Sequence, residues 1–184
     1  MPRYIAFHKP YDVLSQFTGE AGQKTLSEFS LPKKVYAAGR LDKDSEGLLL
    51  LSDDGPLIKK LLDPENGHER VYWAEVEGEP TQDTLARLSR GVIFKGHKSK
   101  PCRVNRLVPQ PEISPRDPPV RFRKSIPTCW IELVLTEGKN RQVRRMTAAV
   151  GHPTLRLVRK RIGKLMLGDL LPGEWRDVQK SDIF

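Results

Sequence analysis

Gly39-Arg40-Leu41-Asp42-Lys43-Asp44-Ser45-Glu46-Gly47-Leu48-Leu49-Leu50-Leu51-Ser52-Asp53 sets a dense acidic turn directly ahead of four leucines. Leu48–Leu51, bounded by polar clusters, has the length of a buried strand. Ser52-Asp53-Asp54-Gly55 stops it with turn formers. On the other side Val35–Leu41 reads as a second strand, so Asp42 falls on a strand–loop–strand corner with Gly47 shaping the return. The same stretch also imitates a calcium loop, with Asp42, Asp44, Glu46, Gly47 and Asp53 at ligand or glycine places. Three features weigh against calcium. The last ligand is Asp rather than a bidentate Glu, the leucines would waste an apolar run on a solvated loop, and Pro32 and Gly39 interrupt the preceding helix.

Working outward, Arg3–His8 is rich in β-formers and ends at Lys9-Pro10. Pro56 opens a short helix over Leu57–Leu62 that Pro64 closes. Val71–Val76 alternates as a strand. Thr81–Arg90 reads as a helix with Thr81 as cap and Gly91 just beyond its end. Five prolines within residues 109–119 make an irregular surface loop. Cys129–Leu135 reads as a strand. Asn140 is placed to cap a helix running to Val150, with Val143, Met146 and Val150 on one face and Arg141 and Arg144 on another. Thr154–Arg159 and Lys164–Leu167 are further strands. Strands and helices out of strict alternation predict an α+β fold.

The chain has 184 residues and a formal charge of +9, a length that suits a single domain over 1–184. Mean hydropathy is −0.52, and no apolar run nears the roughly 18 residues of a membrane helix. The opening MPRYIAFHKP lacks the apolar core of a signal peptide. Cys102 and Cys129 are too few for a disulfide framework or a four-cysteine zinc site and read as reduced thiols of a cytoplasmic protein. The four histidines show no ligand spacing, so no metal is expected. The basic excess is uneven: residues 85–125 hold eleven Lys/Arg and two acids, and residues 139–164 hold nine Lys/Arg and no acid. Two such stretches beside one acidic segment fit a protein that lays a nucleic acid across its surface.

From the residues alone Asp42 has two readings. It is either a surface turn residue paired with Arg40, or an ionised carboxylate serving as nucleophile at a sugar carbon or as stabiliser of an oxocarbenium-like centre. Spacing by itself favours the first.

Four blocks then carry a resemblance over nearly the whole chain: Phe7-His8-Lys9-Pro10; Gly39 to Leu48; Arg70-Val71-Tyr72; and Glu137-Gly138-Lys139-Asn140-Arg141-Gln142-Val143-Arg144-Arg145-Met146, followed by Leu157, Arg159 and Ile162-Gly163. Together they resemble the pseudouridine synthases, and within them the RsuA-like ribosomal family. Arg70 stands where that family often has Lys. Many members begin with a small S4-type RNA-binding domain, whereas this chain enters the catalytic domain within a few residues of Met1.

The resemblance implies a mixed, mainly antiparallel central sheet with flanking helices and loops, and no S4 domain. It implies isomerisation of a specific uridine in large-subunit (23S) ribosomal RNA, with the base flipped from its stack and no cofactor. By the same resemblance Asp42 is the essential aspartate, Arg144 its basic partner, and Tyr72 the residue stacking on uracil. Leu157 becomes the apolar pocket wall. Arg141 and Arg145 are expected to contact phosphate, and Lys9 and Arg40 to line the rim. For Tyr72 and Leu157 ordinary core packing stays open, as does a phosphate contact for Arg144. A monomer without an obligate protein partner is expected. A non-catalytic ribosomal RNA-binding protein, or a hydrolase releasing free uracil, would share parts of this pattern.

Overall fold

The leucine run lies inside a strand buried along its whole length. The computed structural model describes every residue of the chain except Phe122 and Lys124, and it divides into two units, Met1–Arg70 with Val158–Phe184, and Val71–Leu157. In the first unit β1 (Tyr4–Lys9), β2 (Tyr36–Ala38) and β3 (Glu46–Ser52) are built around Leu48–Leu51, all fully buried. β1 runs antiparallel to β3 from Tyr4↔Ser52 to Lys9↔Gly47. The opposite edge of β3 is shared. β2 covers Leu50–Ser52 antiparallel, and β9 (Thr154–Ile162) meets Glu46 and Gly47 in parallel through Val158 and Arg159. β10 (Leu165–Met166) folds back on β9, and β11 (Trp175–Asp177) completes the far side of β1. α1 (Gly55–Leu62) starts where Asp54 accepts from the Leu57 amide at 3.0 Å, with Pro56 in its first turn.

In the second unit β4 (Arg70–Glu77), β8 (Thr128–Leu135) and β7 (Arg103–Arg106) lie side by side, β7 antiparallel to β8. A separate hairpin joins β5 (Ile93–Phe94) to β6 (His97–Lys98). α2 (Gln82–Arg90) is capped by Thr81 and closed at Gly91, as its sequence predicts. α2 and α3 (Gln142–Ala149) supply Leu85, Leu88, Val143 and Met146 to a core shared with Ala74, Val76, Ile131 and Leu133. Residues 109–119 contain no helix or strand. Among the described residues no helix is long and apolar enough to cross a membrane. The architecture is α+β with a mixed sheet, as expected.

Four expectations change. The strand over Val35–Leu41 shrinks to β2 because Gly39 turns out of the strand at φ +82°. The calcium-loop alternative fails because Glu46–Ser52, the second half of such a loop, is interior strand. Asn140 does not cap α3. Arg141 holds the cap position at φ +51°, and the Asn140 carboxamide oxygen accepts from Arg145 at 2.7 Å. The strands β5, β6, β7 and β11 go unseen in the sequence because they are only two to four residues long, too short to show an alternating pattern.

Gly47 is where β3 and β9 approach most closely. Its φ is +103°, and a Cβ there would sit 2.4 Å from the Arg159 carbonyl oxygen and 2.7 Å from the Arg159 nitrogen. Both contacts are backbone, so no rotamer change relieves them. Gly47→Ala is expected to destabilise the fold by at least about 2 kcal/mol, from left-handed strain plus the forced separation of the strands. Urea denaturation measures this, and a midpoint equal to the wild type would contradict the close approach.

Candidate active site

The loop bearing Asp42 is short, polar and held from four sides. Arg159, 2% exposed on β9, donates from Nε to the Leu48 carbonyl at 2.8 Å and from Nη2 to the Gly39 carbonyl at 2.9 Å. One guanidinium thus ties the residue that opens the loop to the strand that receives it. Ser15 Oγ donates to the Leu41 carbonyl at 2.7 Å and accepts from the Leu41 amide at 3.0 Å. On the other side of Asp42, the Lys43 carbonyl accepts from the Asp12 amide at 2.9 Å, while Lys43 Nζ pairs with Asp12 Oδ1 at 3.1 Å. The Ser45 amide closes the turn on the Asp42 carbonyl at 3.0 Å. Both neighbours of Asp42 are therefore fixed through their backbone groups, and its side chain is half-buried. A carboxylate held this way needs little reorganisation to meet a reacting carbon.

Lys9 is a fourth tie and a correction. The expectation that it lines a rim fails, because it is 0% exposed. Its Nζ donates to the carbonyls of Val13 at 2.7 Å, Pro10 at 2.8 Å and Lys43 at 3.4 Å. Arg40 is exposed, as expected of a rim residue. It donates from Nη2 to Gln16 Oε1 at 2.7 Å.

The other predicted residues belong to the second unit. Tyr72 is half-buried on β4 and packs on the core beside Ala74 and Val76. Its neighbour Trp73 donates instead to Glu132 Oε2 at 2.9 Å. Arg144 is half-buried on α3 and donates from Nη1 to the Thr154 carbonyl at 3.2 Å. Arg141 is exposed at the start of that helix, and Arg145 leans on Asn140. The side chain of Leu157 is 5% exposed and belongs to the core cluster. α3 thus gathers the three predicted arginines at its first turns, while Asp42, Lys9 and Arg40 group around the first unit's loop.

Sequence reasoning gave no role to Arg159, Ser15 or Asp12. Arg159 stood in the block with Leu157 and Ile162-Gly163, but nothing local marked it as a buried tie. The second basic stretch is less available to RNA than its count implies, because Arg159 and Arg156 are buried and Arg161 pairs with Glu69 at 2.8 Å.

Burial pushes the Lys9 ammonium down from its ordinary 10.5 to about 7, with Arg159 adding to the shift and Glu46, Asp44 and Asp42 opposing it. Between these pH values the unfolded chain holds a proton that the folded chain has released. The Lys9 contribution to stability therefore rises with pH from about 7 toward 10.5. Urea midpoints at pH 7 and pH 9 should accordingly rise more in the wild type than in Lys9→Met. Equal pH responses in the two proteins would show that Lys9 is not buried as a titrating amine.

A family model described as RNA pseudouridylate synthase matches residues 3–149. The "Ribosomal large subunit pseudouridine synthase E" of Xanthomonas campestris pv. campestris is 54% identical over 174 residues, covering 94% of this chain and 93% of that protein. The protein of the same name from Vibrio vulnificus is 52% identical over 176 residues, covering 96% of this chain and 75% of its own length. A solved structure described as a pseudouridylate synthase superposes with a TM-score of 0.81 at 25% identity, over all of this chain and 73% of that one. The family match spans the Asp42 loop, β4 and α3 together, and the chain belongs to the RNA pseudouridylate synthases, isomerases that act on RNA.

Proposed function

We propose that this chain converts one uridine of large-subunit ribosomal RNA to pseudouridine, with Asp42 as the essential carboxylate. The observation that carries the reading is the Asp42 loop, fixed on both sides of the aspartate by Ser15, Asp12, Lys9 and Arg159. A protein that only binds RNA has no need of a carboxylate so held. The ribosomal substrate is taken from the names of the relatives.

The reaction breaks the C1′–N1 bond, turns the uracil, joins C5 to C1′ and releases the C5 proton while N1 takes up a proton. Its atoms and oxidation states balance within the nucleotide, so the chemistry calls for no cofactor. A target inside a stack must be flipped out to be reached. C1′ becomes electron-poor as uracil departs, and an ionised Asp42 is the group suited to meet it. Arg144 serves as the basic partner of that carboxylate, Tyr72 stacks on the flipped uracil, and Leu157 contributes apolar wall. Arg141, Arg145 and Arg40 contact the RNA backbone. The protein works as a cytoplasmic monomer in a single catalytic domain. A hydrolase would place the same carboxylate beside the same carbon, but would release free uracil.

The test is tritium release from ribosomal RNA labelled at uridine C5 and taken from cells lacking this protein. Wild type should release tritium without free uracil. Asp42→Asn should lose more than about a thousandfold in rate while RNA affinity and fold persist, since the isostere removes charge but little packing. Activity within about tenfold of wild type would remove Asp42 from the reaction. Free uracil would convert the assignment to a hydrolase.

A further inference from the structure

The two basic stretches are separate in sequence, yet part of each is stitched together by one buried carboxylate. Glu137, 7% exposed, accepts at Oε1 from the Lys100 amide at 2.8 Å and from Gln142 Nε2 at 2.6 Å. Gln142 in turn accepts at Oε1 from the Lys139 amide at 3.0 Å. The segment leaving the β5–β6 hairpin is thereby fastened to the loop that enters α3, and β5 itself packs against α3. Glu137, the acid adjoining Lys100 and Lys139, is thus turned inward and occupied, leaving the two lysines exposed.

The hairpin extends this surface. Lys95 and Gly96 form its tip, both in the left-handed region at φ +47° and +71°. Lys95 and Lys98 are exposed, and Ile93 stands 69% exposed beside them. Phe94 stacks edge-on with His97 at 5.8 Å and braces the turn from inside. Arg87 and Arg90 are exposed in the last turn of α2, and the acid of that helix, Asp83, lies in its first turn. From residue 84 to residue 111 the sequence contains no acid. These cations have no role in the chemistry proposed above.

We infer that Arg87, Arg90, Lys95, Lys98, Lys100 and Lys139 form a second RNA-binding surface, which holds backbone phosphates of the substrate away from the reacting uridine. The inference rests on the RNA-modifying reading and adds where the substrate's flanking RNA is held. A polyanion suits this surface because the six cations are exposed and, beyond Asp83 one helical turn before Arg87, no acid lies between residues 84 and 111. Ile93 adds an apolar side chain against which a ribose or base can rest.

The test compares wild type with the triple variant Lys95→Ala/Lys98→Ala/Lys100→Ala on a transcript of the large-subunit ribosomal RNA. Affinity is read by filter binding over a range of salt, and turnover by C5 tritium release. The triple variant should bind at least tenfold more weakly at roughly 0.1 M salt, and the slope of log affinity against log salt should fall by about 2. KM should rise and kcat at saturating RNA should hold. The matching Lys→Arg triple should restore binding, and Lys24→Ala/Lys33→Ala, in the other unit, should leave it unchanged. An unchanged salt slope in the alanine triple overturns the inference, as does an equal loss in the Lys24/Lys33 control. Failure of the parent reading looks different, because the transcript would then be bound but not turned over by the wild type, while the binding comparison would still decide the surface.

Discussion

The position of the Asp42 loop depends on the Arg159 guanidinium. A buried cation is costly unless its donors find acceptors, and here two of them reach the main-chain carbonyls of Gly39 and Leu48. These carbonyls bracket the Asp42 loop. Arg159 occupies this place because β9 runs against Gly47, and β9 can do so only because Gly47 has no Cβ. A single missing methyl group therefore sets the strand spacing. The spacing sets the position of the guanidinium, and the guanidinium sets the loop. Lys9 and Ser15 repeat the device from the side of β1, each spending its polar atoms on loop backbone. Such a loop is rigid because its backbone bonds are formed in the folded state before any RNA arrives, which is the condition for catalysis without reorganisation.

The strong positive charge of the chain divides into two populations with different physics. Arg159 and Lys9 are interior: Arg159 donates to main-chain carbonyls, and Lys9, whose ammonium burial pushes down to about 7, donates to the carbonyls of Val13 and Pro10. Arg87, Lys95, Lys98 and Lys100 are exposed, and their solvated charges suit a salt-sensitive hold on phosphate. A net charge of +9 therefore overstates what a polyanion meets. The protein also uses a buried acid, Glu137, to arrange surface cations, so one carboxylate organises an RNA-facing surface without facing the RNA itself.

How far the sequence could be read depended on the length and patterning of each element. The leucine run, the Thr81-to-Gly91 helix and the apolar strand at residues 129–135 each carry enough periodicity or capping to be placed correctly, because burial and capping are local to them. The entry to α3 was misjudged because Asn140 is a good cap by propensity, whereas Gln142 and Glu137 satisfy the loop and leave Arg141 in a left-handed turn. Around the site, Asp42 stood out through its motif and Arg144 through its block. Lys9 was read as a rim residue and Arg159 only as part of a motif, since a buried cation is distinguished from a solvated one only by long-range partners. Arg159 lies 111 residues from the Leu48 carbonyl it holds, a separation that local pattern does not encode.

The most direct measurement is kcat for C5 tritium release by Arg159→Gln, compared with wild type at saturating ribosomal RNA and with equal folded fractions verified by circular dichroism. A loss of at least about a hundredfold in kcat with RNA affinity retained is expected, because a clamp on the Asp42 loop would act on the transition state rather than on binding. A wild-type kcat in a folded Arg159→Gln protein would contradict it, showing that the Asp42 loop holds its position without the guanidinium.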